Sequence, residues 1–254
     1  MFEKKVVVIT GGGTGIGAEA ARQFVAKGAR VLIVGRRAGV LENTAAAIDS
    51  SGERIATLAS DVSDPTTAER AVALAEERFG GVDILLNNAG VFTPKPFLEH
   101  TPADFDRVVG IILKGKFFMA QAAAKAMIKR GGGVIVHTGS MWAERAVTAT
   151  PSSAYSAANA GVHAMVRNLA VELAPYNIRI NAVAPAVVET PVYNTFLTDE
   201  QVKQVLPTFN AFHPLGRNGQ PADVVAAILF FASPEASWIT GTVLPVDGGV
   251  MASR

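Results

Sequence analysis

Between a first apolar run, Val6–Ile9, and a first helical stretch lies Thr10-Gly11-Gly12-Gly13-Thr14-Gly15-Ile16-Gly17. Glycine accepts positive φ and lets backbone approach another segment closely. A helix that starts directly afterwards presents free N–H groups and the positive end of its dipole, a ready site for a pyrophosphate. Glycines at such spacing can make a plain tight turn. Set between a strand and a helix, they make the phosphate-binding turn of a parallel α/β sheet.

The rest of the chain repeats that rhythm. Short β-rich apolar runs, Val6–Ile9, Arg30–Val34, Arg54–Ala59, Val82–Leu86, Val134–His137, Ile178–Val183 and Val243–Val246, are separated by helical stretches near 15–27, 38–50, 65–79, 102–129, 153–174 and 221–232. Largely apolar strands spaced by helices indicate a sheet buried on both faces. The expected fold class is α/β, one doubly wound domain over 1–254, with seven mainly parallel strands flanked by helices. With 254 residues, 49% hydrophobic and 18% charged, the chain can bury a large core.

Composition excludes several functions. A net charge of +1 without long single-sign blocks gives no nucleic-acid track. The absence of cysteine removes disulfides, thiolate metal sites and cysteine nucleophiles, and suits a reducing cytoplasm. The four histidines show no metal-ligand spacing. No signal peptide is evident, and the longest apolar run, Val224–Ala232, is far shorter than the roughly 20 residues of a membrane helix. A soluble cytoplasmic protein with no membrane or nucleic-acid partner is expected.

Two segments bear on specificity. The second strand ends Gly35-Arg36-Arg37, with no acid to hold ribose hydroxyls. Arginine suits a 2′-phosphate because its fork bonds bidentately. NADP(H) is therefore favoured over NAD(H), with Arg36 as clamp and Thr14 and Arg37 assisting; the competing reading is a solvated arginine pair. Segment 186–220, with Pro191, Pro207, Pro214, Tyr193, Phe196, Phe209 and Phe212, is expected to be a substrate lid with a short helix at Asp199–Leu206, or else an ordinary packed loop.

Over nearly its full length the sequence resembles the short-chain dehydrogenase/reductase family. The resemblance rests on Thr10–Gly17, Asp61-Val62, Asn87-Asn88-Ala89-Gly90, a strand ending Thr138-Gly139-Ser140, Tyr155 on the next helix, Ile180–Pro185 and Asp247-Gly248-Gly249. It implies a Rossmann-like fold that holds the cofactor through Gly11, Thr14, Gly15, Ile16, Gly17, Arg36, Arg37, Asp61, Val62, Asn88, Ala89, Gly90, Thr138, Tyr155, Asn159, Pro185, Val188 and Thr190. Asp61 would meet the adenine amino group; Pro185, Val188 and Thr190 would hold the nicotinamide carboxamide. The catalytic residues implied are Ser140, which would orient a substrate carbonyl, Tyr155, which would exchange its proton, and the residue at 159. The chemistry agrees: hydride addition to a carbonyl leaves an alkoxide that a phenol can protonate. Outside that context, Ser140 reads as a strand-end cap and Tyr155 as a half-buried core residue. A homotetramer or homodimer built on the two long helices is also implied.

Three positions depart from the family. Tyr-x-x-x-Lys reads Tyr155-Ser156-Ala157-Ala158-Asn159, so Asn159 stands for a lysine that bonds the nicotinamide ribose and lowers the tyrosine pKa. Ile112 stands for an asparagine that supports a water-linked relay to that lysine. Ala186 stands for a glycine. Two polar losses on one relay suggest correlated change; the competing readings are decay of the tetrad and deliberate introduction of Asn159. His163, one turn past Asn159, could be proposed as a substitute base but reads better as helix packing. The resulting expectation is an NADP(H)-dependent carbonyl reductase or alcohol dehydrogenase, slow or reduction-biased, acting on a small-molecule carbonyl or alcohol. The alternative is a catalytically weak NADP(H)-binding relative acting as sensor or assembly partner. Met141, Trp142, Tyr193, Phe92, Val147, Phe196 and Phe209 are candidates for an apolar substrate pocket.

Overall fold

In strands β1 (Val6–Thr10), β2 (Arg30–Gly35), β4 (Ile84–Asn87) and β6 (Ile178–Pro185), nearly every residue is buried, as in a sheet covered on both faces. With β3 (Ile55–Ala59), β5 (Gly133–Thr138) and β7 (Val243–Val246) they form a seven-stranded sheet of order β3-β2-β1-β4-β5-β6-β7. This computed structural model describes residues 1–148 and 150–253. Every strand pair is parallel, so the expected "mainly parallel" sheet is wholly parallel. Pro245, which cannot donate to a ladder, lies in the edge strand β7.

Alternation along β1 divides the core. Val7 and Ile9 pack with α1 (Gly15–Ala26), α2 (Ala38–Ile48) and α8 (Pro221–Ala232) on one face. Val6 and Val8 pack with α3 (Thr66–Phe79), α5 (Gly115–Lys129) and α6 (Ser153–Leu173) on the other. The stretch expected as one helix over 102–129 is interrupted: α4 (Pro102–Val109) runs through a π-helical turn, Gly110–Lys114, into α5. Such turns insert one residue into the helical repeat and re-aim the side chains that follow.

Segment 186–220 folds as a 3₁₀ turn (Pro191–Thr195), α7 (Asp199–Val205) and a second 3₁₀ stretch (Leu206–Phe212). It is tied back at its base by the Val188–Gly219 bridge. Thr198 and Gln201 form a reciprocal capping box that starts α7 close to the expected helix. No described helix is long and apolar enough to cross a membrane.

Candidate active site

The C-terminal ends of the central strands open on a cavity of about 660 Å³. It lies at the switch point, where order runs from β1 to β2 on one side and to β4 on the other. Gly11 has φ +67° and turns the chain sharply after β1. A Cβ on Gly17 would overlap the Gly11 carbonyl, so α1 packs against the loop only with glycine there. A Cβ on Gly12 would come within 2.6 Å of Ile33, against β2. Gly11, Thr14, Gly15 and Ile16 line the cavity, whereas Gly17 lies beneath it. First-turn N–H groups of α1 have no helical acceptor, and Gly15 and Ile16 line this space.

Thr10 ties the loop to the neighbouring strand. Its hydroxyl accepts the N–H of Asn88 at 3.0 Å and of Ala89 at 2.9 Å, and donates to Asn87 Oδ1 at 3.3 Å. Asn88 Nδ2 donates to the Thr10 carbonyl at 3.2 Å, and Asn88 Oδ1 accepts from Thr138 Oγ1 at 3.1 Å. β1, β4 and β5 are thus cross-linked at the floor of the cavity. Asn88, Ala89, Gly90 and Thr138 all line it.

At one end of the cavity lie Arg36 and Arg37, exposed and without a carboxylate partner among the described residues. Asp61 and Val62 stand nearby; one Asp61 oxygen holds Ser63 N at 2.9 Å. At the other end Pro185, Val188 and Thr190 complete the wall, and a Cβ on Gly15 would sit 3.1 Å from Thr190. Ala186 lies outside the left-handed region, so the family's glycine is not required there.

Ser140, Tyr155 and Asn159 meet on this wall. Ser140 does cap: its Oγ accepts the Trp142 N–H at 3.3 Å and starts a 3₁₀ turn at Met141–Ala143. Burial raises the Tyr155 phenol above its ordinary value, and the Ser140 and Asn159 side chains beside it pull only partly the other way. Asn159 is buried, and its Nδ2 donates back to the Tyr155 carbonyl at 3.0 Å. Ile112 faces the same space and offers it no polar atom. His163 lies behind: it accepts the Ser140 N–H at 3.5 Å through Nε2 and meets Glu144 Oε1 at 3.1 Å through Nδ1. It supports the Ser140 backbone and is absent from the cavity wall, so the packing reading holds in place of the substitute base.

Lys116, four residues after Ile112, enters the same wall. It is 3% exposed; its Nζ donates to the Thr138 carbonyl at 2.5 Å and has no carboxylate partner among the described residues. Burial pushes its pKa down to about 7. Asn87 Nδ2 donates to the Lys116 carbonyl at 2.8 Å and fixes its backbone.

Aromatic residues close the outer side. Phe92 packs edge-on against Tyr155 at 4.9 Å and Phe196 at 5.7 Å, with Trp142 at 6.1 Å; Tyr193 meets Phe196 at 6.2 Å. Phe209 also lines the cavity. Two candidates do not. The Ser140-capped turn aims Trp142 at the cavity and Met141 inward, so Met141 is buried with Val187, Leu206 and Val250, and Val147 packs against that cluster.

These residues fit a dinucleotide: a glycine cradle that tolerates no Cβ at Gly17, free helix N–H groups, and two unpaired guanidinium groups at one end. No group of His, Asp or Glu that could hold a metal occurs among the described residues. The family model described as "Enoyl-(Acyl carrier protein) reductase" matches residues 11–251. Levodione reductase of Leifsonia aquatica is 37% identical, over 99% of this chain and 96% of the relative. The chain is a short-chain dehydrogenase/reductase. A second member of the family, L-rhamnose 1-dehydrogenase (NAD(P)(+)) of Sphingomonas, is 36% identical over 98% of this chain and 97% of its own. The crystal structure of levodione reductase superposes with TM-score 0.93 at 36% identity, covering 100% of both chains. A short-chain type dehydrogenase/reductase from Mycobacterium marinum gives 0.92 at 30%, over 99% of this chain and 97% of that one. This short-chain dehydrogenase/reductase thus belongs to a family of NAD(P)-binding oxidoreductases.

Sequence reasoning named Thr10 only as the start of the glycine loop, without its cross-linking role, and passed over Lys116. Thr10 opens the glycine loop, where a hydroxyl one residue before Gly11 is a usable signal. Lys116 stands in the apolar run Gly115-Lys116-Phe117-Phe118-Met119, one helical turn beyond Ile112 and so on the same face.

Proposed function

We propose that the protein is an NADP(H)-dependent carbonyl reductase or alcohol dehydrogenase. The observation that carries this reading is one cavity with a tyrosine–serine pair at one end and two unpaired arginines at the other. Gly11–Gly17 hold the pyrophosphate, Asp61 and Val62 the adenine, Asn88–Gly90 the adenine ribose, and Pro185, Val188 and Thr190 the carboxamide. Arg36, with Thr14 and Arg37, takes the 2′-phosphate. A nicotinamide dinucleotide held by these residues would supply the hydride chemistry at the substrate carbon. Ser140 holds the substrate oxygen, and Tyr155 Oη gives it a proton in reduction or takes one in oxidation.

The aromatic wall of Phe92, Trp142, Tyr193 and Phe196 suits a flat, largely apolar carbonyl compound. Trp142 lines the cavity and its buried Nε1–H has no acceptor among the described residues, so a second acceptor on the substrate would be matched. The names of the relatives, which include levodione and the polyol galactitol, span both ring ketones and sugars. Segment 186–220 acts as the lid through Tyr193, Phe196 and Phe209. Exposed Phe117 and Val171 on α5 and α6 support a homotetramer or homodimer on those helices in a cytoplasmic enzyme.

The test is NADPH and NADH oxidation against a panel of cyclic ketones and ketoses. Turnover with NADPH preferred is expected, and Arg36→Asp should lower the NADPH/NADH ratio of kcat/KM by roughly 10- to 100-fold. An unchanged ratio would remove Arg36 as the clamp. One observation favours a second reading: Asn159 turns its amide onto its own helix and leaves a raised phenol. Tight NADPH binding without turnover of any carbonyl would identify a cofactor-sensing relative.

A further inference from the structure

The 3₁₀ turn at Met141–Ala143 starts on Ser140, which lines the cavity, and ends on Glu144. One buried side chain on α6, His163, holds both ends of it. Its Nε2 meets the Ser140 N–H at 3.5 Å, and its Nδ1 meets Glu144 Oε1 at 3.1 Å. A Cβ on Gly139 would overlap Nε2, so glycine at that position lets the ring reach the backbone. The Gly139 N–H is tied to the Val183 carbonyl of β6 at 2.8 Å. Ser140 Oγ in turn accepts the Trp142 N–H and lies beside the Tyr155 phenol.

The two partners fix where the ring carries its hydrogen. A backbone N–H only donates, so Nε2 must accept; a carboxylate only accepts, so Nδ1 must carry the hydrogen. The neutral ring satisfies both. The protonated ring does not: its Nε2–H would face the Ser140 N–H, two donors in a buried place with no acceptor between them.

We propose that His163 is a positioning residue for the Ser140 hydroxyl: neutral and held by Glu144, it anchors the Ser140 N–H, and protonation at Nε2 releases that anchor and with it the reaction geometry. This role rests on the oxidoreductase reading. The charged and titratable groups facing the ring are Glu144 at the end of the turn, Arg167 one turn on in α6, Lys116 on α5 and His137 on β5. Burial, with Arg167 and Lys116, holds His163 below its ordinary value of 6.5, against the pull of Glu144. His137 is pushed down to about 3, chiefly by burial, and stays neutral through that range. The anchor is therefore complete at neutral pH and is lost as pH falls through the His163 pKa. No bond to carbon forms or breaks at His163, and its proton is exchanged with solvent.

The test is the pH dependence of kcat for NADPH-dependent reduction of a carbonyl compound. Wild type should lose kcat in a one-proton step on the acid side of pH 6.5. His163→Gln offers an amide oxygen to the Ser140 N–H and does not titrate, so it should stay within about threefold of wild type near pH 8 and lack the step. His163→Leu removes the acceptor and should lose kcat about tenfold or more at every pH, with NADPH binding by fluorescence titration unchanged. Glu144→Gln keeps an acceptor for the Nδ1–H but removes its charge, so the step should move to lower pH. A step that is absent from wild type, persists in His163→Gln or does not move down in Glu144→Gln overturns the proposal, as does undiminished kcat in His163→Leu. If the wild-type protein reduces no carbonyl, the oxidoreductase reading falls, and nitrogen-15 NMR of the cofactor-free protein decides the anchor. The His163 signal, identified by its absence in His163→Gln, should then show hydrogen on Nδ1 at neutral pH; hydrogen on Nε2 overturns the anchor. Should His163→Leu fail to fold, the profiles of His163→Gln and Glu144→Gln carry the comparison.

Discussion

Lys116 and Gly17 are single residues whose cost to the fold can be read separately from their use. The unfolded chain keeps a lysine protonated up to its ordinary value of 10.5, whereas folded Lys116 releases its proton near 7. Between those values the unfolded state binds more protons, so stability rises with pH through this window and is flat below it. From pH 7 to pH 9 this group contributes about 2 kcal/mol of that rise. Urea unfolding of wild type and Lys116→Met at both pH values should show the variant more stable at pH 7, with the gap narrowing by about that amount at pH 9. A constant gap would mean that the amine is not desolvated. Gly17→Ala acts in the opposite sense, since its Cβ meets the Gly11 carbonyl and has no flexible neighbour to displace. Overpacking of this kind costs about 1–3 kcal/mol. The same shift opens the cradle, so NADPH binding by fluorescence titration should weaken at least about tenfold.

Among the elements, the joint between β1 and the loop after β4 depends on one hydroxyl. Thr10→Val keeps the shape but leaves the N–H groups of Asn88 and Ala89 without their acceptor in a buried setting. About 2–4 kcal/mol of stability should be lost in denaturant unfolding, while Thr10→Ser should lose less than about 1 kcal/mol. If valine is tolerated, water has replaced the hydroxyl. The strands and the glycine turn were legible because periodicity and turn chemistry are local properties of the chain. The Ser140–Tyr155 pair was legible only through its resemblance to the family, since nothing in the spacing of a serine and a tyrosine brings them together. The π turn at 110–114 was not legible: it inserts one residue into a continuous helical pattern, and it packs Ile111 and Ile112 against α6, a contact that no local pattern shows. Lys116 was hidden for the same reason. A lysine in a helix reads as surface until the turn before it is known to aim position 116 at the cavity. Met141 was misplaced because the Ser140 cap sets which of two adjacent apolar residues faces inward.

At the scale of the molecule, the cavity touches the loops after β1, β2, β3, β4 and β5 and the segment between β6 and α8. A dinucleotide lying across it would contact all of these loops at once, so binding should tighten them together. At a free concentration 100 times its Kd, NADPH adds about 2.7 kcal/mol to the folded state. For a chain of this size that corresponds to a melting-temperature rise of roughly 5–10 °C. The distribution of the gain is more informative than its sum. In hydrogen exchange, amides at 11–17 and 88–90 should gain protection through direct contact. Amides at 190–212 should gain it only if that segment closes over the nicotinamide end. Tyr193→Ala and Phe196→Ala remove the Phe196–Phe92 contact by which the segment meets the wall and the Tyr193–Phe196 contact behind it. They should leave the glycine-loop protection intact while erasing that of 190–212. Equal protection of 190–212 in the double variant would make the segment a fixed wall of the cavity and not its lid. Protection confined to 11–17 and 88–90 in the wild type would place closure at the substrate step, where adding a carbonyl compound to the NADPH-bound protein should then bring it about.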